Sequence, residues 1–263
     1  MTFSIVRFGD VYATAEELPL LDGAQPQGAG DVQPSLIQLS GGAFDWRGGD
    51  RARFEPQEIT VNGVYAADTS VEVAAKLATL NALLGVRSKL WRTDDTVQHW
   101  RTARLLEVRS PKEAGSQGHA EFTLRFHLAP GPWRGTVRTV NATLSASPVT
   151  AACTNSGNAR VDDAIITITA AGSAITVVHV TVSGVSQIAW TGTLAVGQSL
   201  VIDCGARTVR NHGVDAYSGL TYTIYHKVPE WLRLQPGANS VQIHRTGGSS
   251  ASAAQITYND GWA

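Results

Sequence analysis

His119-Ala120-Glu121-Phe122-Thr123-Leu124-Arg125-Phe126-His127-Leu128 alternates without a break, with Phe122, Leu124, Phe126 and Leu128 apolar and the residues between them polar. Neighbouring side chains on a strand point to opposite faces, so one face of this segment is buried and the other wet, as in an antiparallel sheet. The same period of two returns through the second half of the chain. Ile166 and Ile168 alternate with Thr167 and Thr169, and Val178, Val180 and Val182 alternate with His179, Thr181 and Ser183. Leu200–Asp203, Leu220–Tyr225, Trp231–Leu234, Ser240–His244 and Gln255–Tyr258 continue the series. Short strands separated by Gly and Asn argue for a β-sandwich or jelly roll.

Before that alternation lies one helical pattern. Val73, Leu77, Leu80 and Leu84 recur at steps of four, three and four, which is one face of a 3.6-residue period. Thr69 and Glu72 have the spacing of a capping box, and Gly85 is placed to stop the helix, so a helix over 70–84 is expected. Lys89–Trp91 and Val97–Val108 read as a hairpin turning at Thr93–Thr96. The stretch from Asp22 to Gly49, rich in Gly, Gln and Pro, reads as long loops around one short strand, Leu36–Leu39.

Charge divides the chain. Residues 1–132 carry 13 basic and 16 acidic side chains, whereas residues 140–263 carry 6 and 6. The first half is therefore near the usual charge density of about 25%, and the second is far below it. The change falls at Pro130-Gly131-Pro132-Trp133-Arg134-Gly135, a proline-punctuated boundary. We expect an N-terminal domain over 1–132, a linker over 133–139 and a C-terminal domain over 140–263. The whole chain is mainly β.

Composition also excludes several classes. With 263 residues, 43% hydrophobic and a formal net charge of −1, the chain is too apolar and too neutral to be disordered. Its 21 basic and 22 acidic residues give no excess for neutralising phosphates, so no specific nucleic-acid binding is expected. Two cysteines cannot make a disulfide framework. The start of the chain has no signal-peptide pattern, and its apolar runs fall short of the ~20 residues of a membrane span, so synthesis in a cytosol is expected.

Sites for chemistry are sparse. No nucleophile elbow, phosphate loop or dinucleotide fingerprint is present, and Gly28-Ala29-Gly30 reads as a turn. His119 and His127 share a strand face but stand ~26 Å apart, too far for one metal. Cys204 with His212 is a weak nucleophile–base pairing against a buried structural cysteine. Asp94-Asp95 and Asp162-Asp163 are a weak glycosidase pair against ordinary turn residues. Asn141-Ala142-Thr143 is a glycosylation sequon without a secretory context. No catalytic, metal or cofactor residue is therefore assigned. Two aromatic positions remain. Trp190, before Thr191-Gly192 where a strand is expected to end, either covers the end of the sandwich or stacks on a sugar. In Phe44-Asp45-Trp46-Arg47, flanked by glycines, the Trp either folds back onto its own domain or forms an interface, Trp and Arg being hot-spot residues. In the interface case Trp46→Ala weakens assembly more than thermal stability.

Trp231-Leu232-Arg233-Leu234-Gln235-Pro236-Gly237-Ala238-Asn239-Ser240-Val241, followed by Ala254–Tyr258 and Trp262, resembles the close of the siphophage distal tail protein (Dit) family. In that family a W-x-x-L-x-P-G-x-N turn precedes the last two strands, matched here by Trp231, Leu234, Pro236, Gly237 and Asn239. Asn155–Asn158 with Ile165–Ile168, Gly197–Asp203 with Arg207–Val209, Leu90–Arg92, Trp100–Leu105, and Phe126 with Pro130 and Trp133 follow in family order. The resemblance covers most of residues 55–263. Physically the motif is a turn: Pro236 presets φ, Gly237 can take positive φ, and Asn239 can bond its own backbone.

The resemblance implies a non-enzymatic structural protein of the virion tail tip, without cofactors. It implies a ring, usually a hexamer, at the distal end of a non-contractile phage tail. The N-terminal domain, a β-sandwich or split barrel with one helix, would form the ring around the channel. A galectin-like, jelly-roll-like C-terminal sandwich would lie outside it. The implied partners are further copies of the chain, the tail tube protein, the tape-measure protein, the tail hub of the baseplate and receptor-binding proteins, with no membrane. The alternative is a lectin-like carbohydrate-binding module using Trp190.

Overall fold

A computed structural model describes residues 4–12, 32–33, 36–39, 42–45, 53–54, 58–66, 69–94, 97–109, 119–129, 131–182, 186–221 and 231–262. The chain divides into two compact units, Met1–Trp133 and Arg134–Ala263. The fold is mainly β, with one α-helix among the described residues.

Unit one begins with β1 (Ser4–Phe8) and β2 (Val11–Tyr12). Four short strands follow: β3 (Val32–Gln33), β4 (Leu36–Leu39), β5 (Gly42–Asp45) and β6 (Arg53–Phe54). β4 has the expected bounds and pairs with β5, while β3 pairs with β6. The long elements are β7 (Glu58–Ala66), α1 (Ser70–Asn81), β8 (Arg87–Asp94), β9 (Val97–Arg109) and β10 (His119–Leu128). They build one antiparallel sheet in the order β2-β1-β8-β9-β10-β7. The β8–β9 hairpin keeps an unbroken register from Arg87 opposite Arg104 to Asp94 opposite Val97.

Phe122, Leu124, Phe126 and Leu128 are all buried, as the alternation requires. Phe126 meets Phe8 at 5.0 Å between ring centroids, and Phe122 meets Tyr65 at 5.1 Å. The capping box at Thr69 and Glu72 is formed. Val73 and Leu80 are buried, but the helix ends at Asn81, and Leu84 is exposed in the turn that follows. The C-terminal bound of 84 is therefore three residues too long. Gly85 ends that turn at φ +78°, and its N–H goes to the Leu105 carbonyl, outside the helix.

In unit two, β11 (Trp133–Thr143) contains the residues expected as a linker, all in one strand. After it come β12 (Val149–Asn155), β13 (Ile165–Thr169), β14 (Ile175–Val182), β15 (Ser186–Leu194) and β16 (Ser199–Asp203). The last strands are β17 (Thr208–Asn211), β18 (Val214–Asp215), β19 (Leu220–Thr221), β20 (Gly237–Gly247) and β21 (Ala253–Trp262). One antiparallel sheet runs β18-β17-β16-β13-β21-β11, and the other runs β12-β20-β14-β15-β19. Their inward residues, among them Ile166, Ile168, Val178, Val180, Leu200, Ile202, Ile243 and Ile256, form one core. This is the sandwich that the period of two demands.

Two strand expectations need correction. Trp231–Leu234 is not a strand: Leu232 and Leu234 are buried, but among the described residues its ladder contact is one isolated bridge from Leu234 to Val161. Its alternation comes from packing, and its Arg233 amide is taken by the Ser186 hydroxyl. The strand carrying Trp190 does not end there. It runs on to Leu194, paired with β14 past a register shift at Ile175–Val177.

Candidate functional site

The turn at Gln235–Asn239 is closed by one side chain. Asn239 Oδ1 accepts the Gln235 amide at 2.8 Å, and its Nδ2 donates to the carbonyls of Gln235 at 2.8 Å and Gly237 at 3.0 Å. Gly237 takes φ +88°, a value at which any Cβ is strained. Trp231 packs against the core and lies 6.3 Å from the Tyr217 ring. These residues shape the fold and meet no reacting group.

At the far end of β21 a second polar lock holds the chain. Asn155 is fully buried. It donates to the Ala159 carbonyl and accepts the amides of Gly157 and Gly261 at 3.1 and 3.0 Å. A Cβ on Gly157 would overlap the Gly261 carbonyl, so glycine is required there by close backbone approach. Asp260 beside it accepts from Arg138 and from the Ser156 amide.

Trp190 is 2% exposed. Its Nε1–H donates to the Ala216 carbonyl at 3.1 Å, and Gly192 and Gly219 leave the room its indole fills. The sugar-stacking expectation for Trp190 is corrected here: the ring has no open face. Trp190 borders an open groove of about 440 Å³, lined also by Thr193, Gln198, Asn211, His212 and Asp215.

The suggested nucleophile fares no better. Cys204 is buried, and burial pushes its thiol up to about 12; burial likewise raises Cys153 to about 11. Neither offers a thiolate near neutral pH. Asp162 pairs with Arg160 at 2.7 Å and Asp163 with Arg134, so both act as ion-pair partners. Asn141 lies in β11 and accepts from Gln255 at 3.0 Å. Among the described residues no three metal-ligating side chains cluster, and no helix is long and apolar enough to cross a membrane. Trp46, Arg47 and Asp95 lie outside the described residues, and Phe44 and Asp45 close strand β5.

Sequence reading missed the surface of β8 and β9. Arg87, Lys89 and Trp91 share a face with Trp100, Thr102 and Arg104, because each faces its partner directly across the hairpin. Arg7 of β1 joins the row opposite Trp91, with its guanidinium 4.4 Å from that ring. Lys89 Nζ lies 4.1 Å from the Trp100 ring and 5.9 Å from Trp91. The two indoles are 6.3 Å apart. The readable signal was the (i, i+2) spacing of these residues, but bulky aromatics at such spacing equally fit a core.

The opposite face of the same hairpin is also cationic. Arg92, His99 and Arg101 are buried there, with Arg92 4.5 Å over the Trp133 ring. Arg101 donates to the Ala129 carbonyl at 2.7 Å, and burial, then the Arg92 charge, lowers it to about 10. It remains protonated at neutral pH.

Residues 156–262 match the family model of the siphovirus-type tail component, C-terminal domain. The crystal structure of the Dit protein of phage SPP1, a paradigm of the hub adsorption apparatus in phages infecting Gram-positive bacteria, has the same fold. The match covers 98% of this chain and 99% of that one, with TM-score 0.64 and 14% identity. A chain of the phage P2 baseplate in its activated, calcium-bound conformation aligns over 98% of this chain and 90% of that one. Its identity is 9% and its TM-score of 0.43 carries no argument. No curated protein matches the sequence.

Proposed function

We propose that this chain is a structural protein of a phage tail tip, a reading supported by the match of residues 156–262 to the siphovirus-type tail component family. The family match is the observation that carries this reading. The fold shared with SPP1 Dit along 98% of the chain supports extending it to the N-terminal unit.

In its finer form the proposal is a ring, a hexamer, at the distal end of a non-contractile tail. That ring joins the tail tube and tape-measure proteins to the tail hub and to receptor-binding proteins. Its chemistry is assembly rather than catalysis, and a closed ring of head-to-tail contacts needs complementary surfaces instead of an active centre. The stretch Phe44-Asp45-Trp46-Arg47 is proposed as one subunit contact.

Native mass spectrometry and negative-stain imaging of the purified chain test the reading. Rings are expected. A chain that stays monomeric even with tube or hub protein overturns it. Trp46→Ala should lower the ring fraction while leaving the melting temperature unchanged; the reverse outcome makes that Trp a core residue.

A further inference from the structure

Arg87 stands directly opposite Arg104, and on the other side of Arg104 stands His127 of β10. Lys89 is one pleat further along the same face. Like charges directly opposite on neighbouring strands repel. Arg87, Lys89 and Arg104 are exposed, and none has a carboxylate partner among the described residues. The nearest acids on this face are engaged elsewhere: Glu107 holds Arg109 and Arg125, and Glu58 holds Arg125. At the centre of the patch Trp91 and Trp100 are half-buried, held by Lys89 and Arg7.

Trp and Arg together are the composition of an interface hot spot. Among the described residues no acid relieves this repulsion, and an acidic partner surface would remove it. We propose that this face of β8 and β9 is a subunit–subunit contact, occupied by an acidic surface of a second copy of this chain. The charge count favours that occupant. Residues 1–132 hold 13 basic and 16 acidic side chains, so with Arg87, Lys89 and Arg104 gathered here, 10 basic residues remain against the 16 acids. A head-to-tail contact needs two different, complementary surfaces on each copy, and this surplus of acids over the remaining bases has the sign that the second surface requires. Duplex DNA is the weaker occupant, since the unit as a whole carries no basic excess.

The inference rests on the ring reading, and the experiment separates the two. Wild-type full-length chain and the double variant Arg87→Glu/Arg104→Glu are compared by sedimentation velocity at low and high salt, with circular dichroism melts as the folding control. The wild type is expected to assemble, and to do so less at high salt. The variant should need at least tenfold more protein to assemble, and Arg87→Lys/Arg104→Lys should assemble like the wild type. Should the wild type assemble and the folded double variant assemble equally, the inference falls and the ring stands. A wild type that stays monomeric overturns both. Binding of a 20-base-pair duplex, lost in the double variant while assembly is intact, assigns the face to phosphates and overturns the inference.

Discussion

Arg138 donates from both Nε and Nη2 to the same oxygen of Asp260, at 3.0 and 2.9 Å, while the other Asp260 oxygen accepts the Ser156 amide at 2.9 Å. One carboxylate thus ties β11, the loop after β12 and β21 together. It is buried, whereas the Arg138 side chain is 43% exposed, so solvent screens much of the Coulomb attraction. The hydrogen bonds carry the rest, and they hold the Arg138 guanidinium above its ordinary value.

Asp260→Ala should therefore destabilise the second unit by about 2 kcal/mol, mostly because the part-buried Ser156 N–H loses its charged acceptor. Arg138→Ala should cost less, about 1 kcal/mol, since its own end is wet. Urea unfolding of the full chain reads both. Equal losses would mean that the ion pair itself, and not the amide contact, is the dominant part.

His179 and His244 face each other across β14 and β20 with ring centroids 5.7 Å apart. Burial, then the His244 charge, holds the His179 imidazole below its ordinary value. The unfolded chain takes up this proton near pH 6.5, and the folded chain resists it. Stability is thus intact above about pH 6.5 and declines as pH falls through that value towards the lower folded one. Urea midpoints between pH 7.5 and pH 5 should decline for the wild type and decline less for His244→Gln. Parallel slopes in the two proteins would remove the pair from the account.

Much of this was legible in the sequence, and the failures share a cause. Period two predicts the buried face of β10 and of the sandwich strands correctly, because a sheet with one wet side leaves no other arrangement. Thr69 and Glu72 mark the helix start through local hydrogen bonds that need no tertiary partner. Leu84 misleads because the helical period continues by chance into a turn whose Gly85 amide is captured by Leu105, a partner 20 positions away. Trp190 misleads for a similar reason: its cover comes from Ala216 and Gly219, remote in sequence. The basic face of β8 and β9 stayed hidden because facing pairs such as Arg87 and Arg104 exist only once a register is set.

The two thiols offer a direct check on the packing of unit two. Cys153 and Cys204 are both buried, and burial raises them to about 11 and about 12. The folded chain at pH 8 should leave both silent to a thiol-reactive disulfide reagent over minutes, with two equivalents released in denaturant. Rapid release of one equivalent from the native chain would mean that the core around that cysteine opens locally.

Trp190 separates the structural reading from the sugar-binding one. Its indole is enclosed at 2% exposure, its N–H is satisfied by Ala216, and it borders the adjoining groove from within that enclosure. Trp190→Ala should then cost about 3–5 kcal/mol, the range for deleting a large buried aromatic. Trp190→Phe should cost about 1–2 kcal/mol through the lost hydrogen bond and the smaller ring. Thermal melts measure both losses, and glycan-array binding of the same proteins is expected to show no Trp190-dependent signal. A Trp190→Phe chain that melts like the wild type but loses a measured glycan interaction would mean that the indole swings out to meet a sugar.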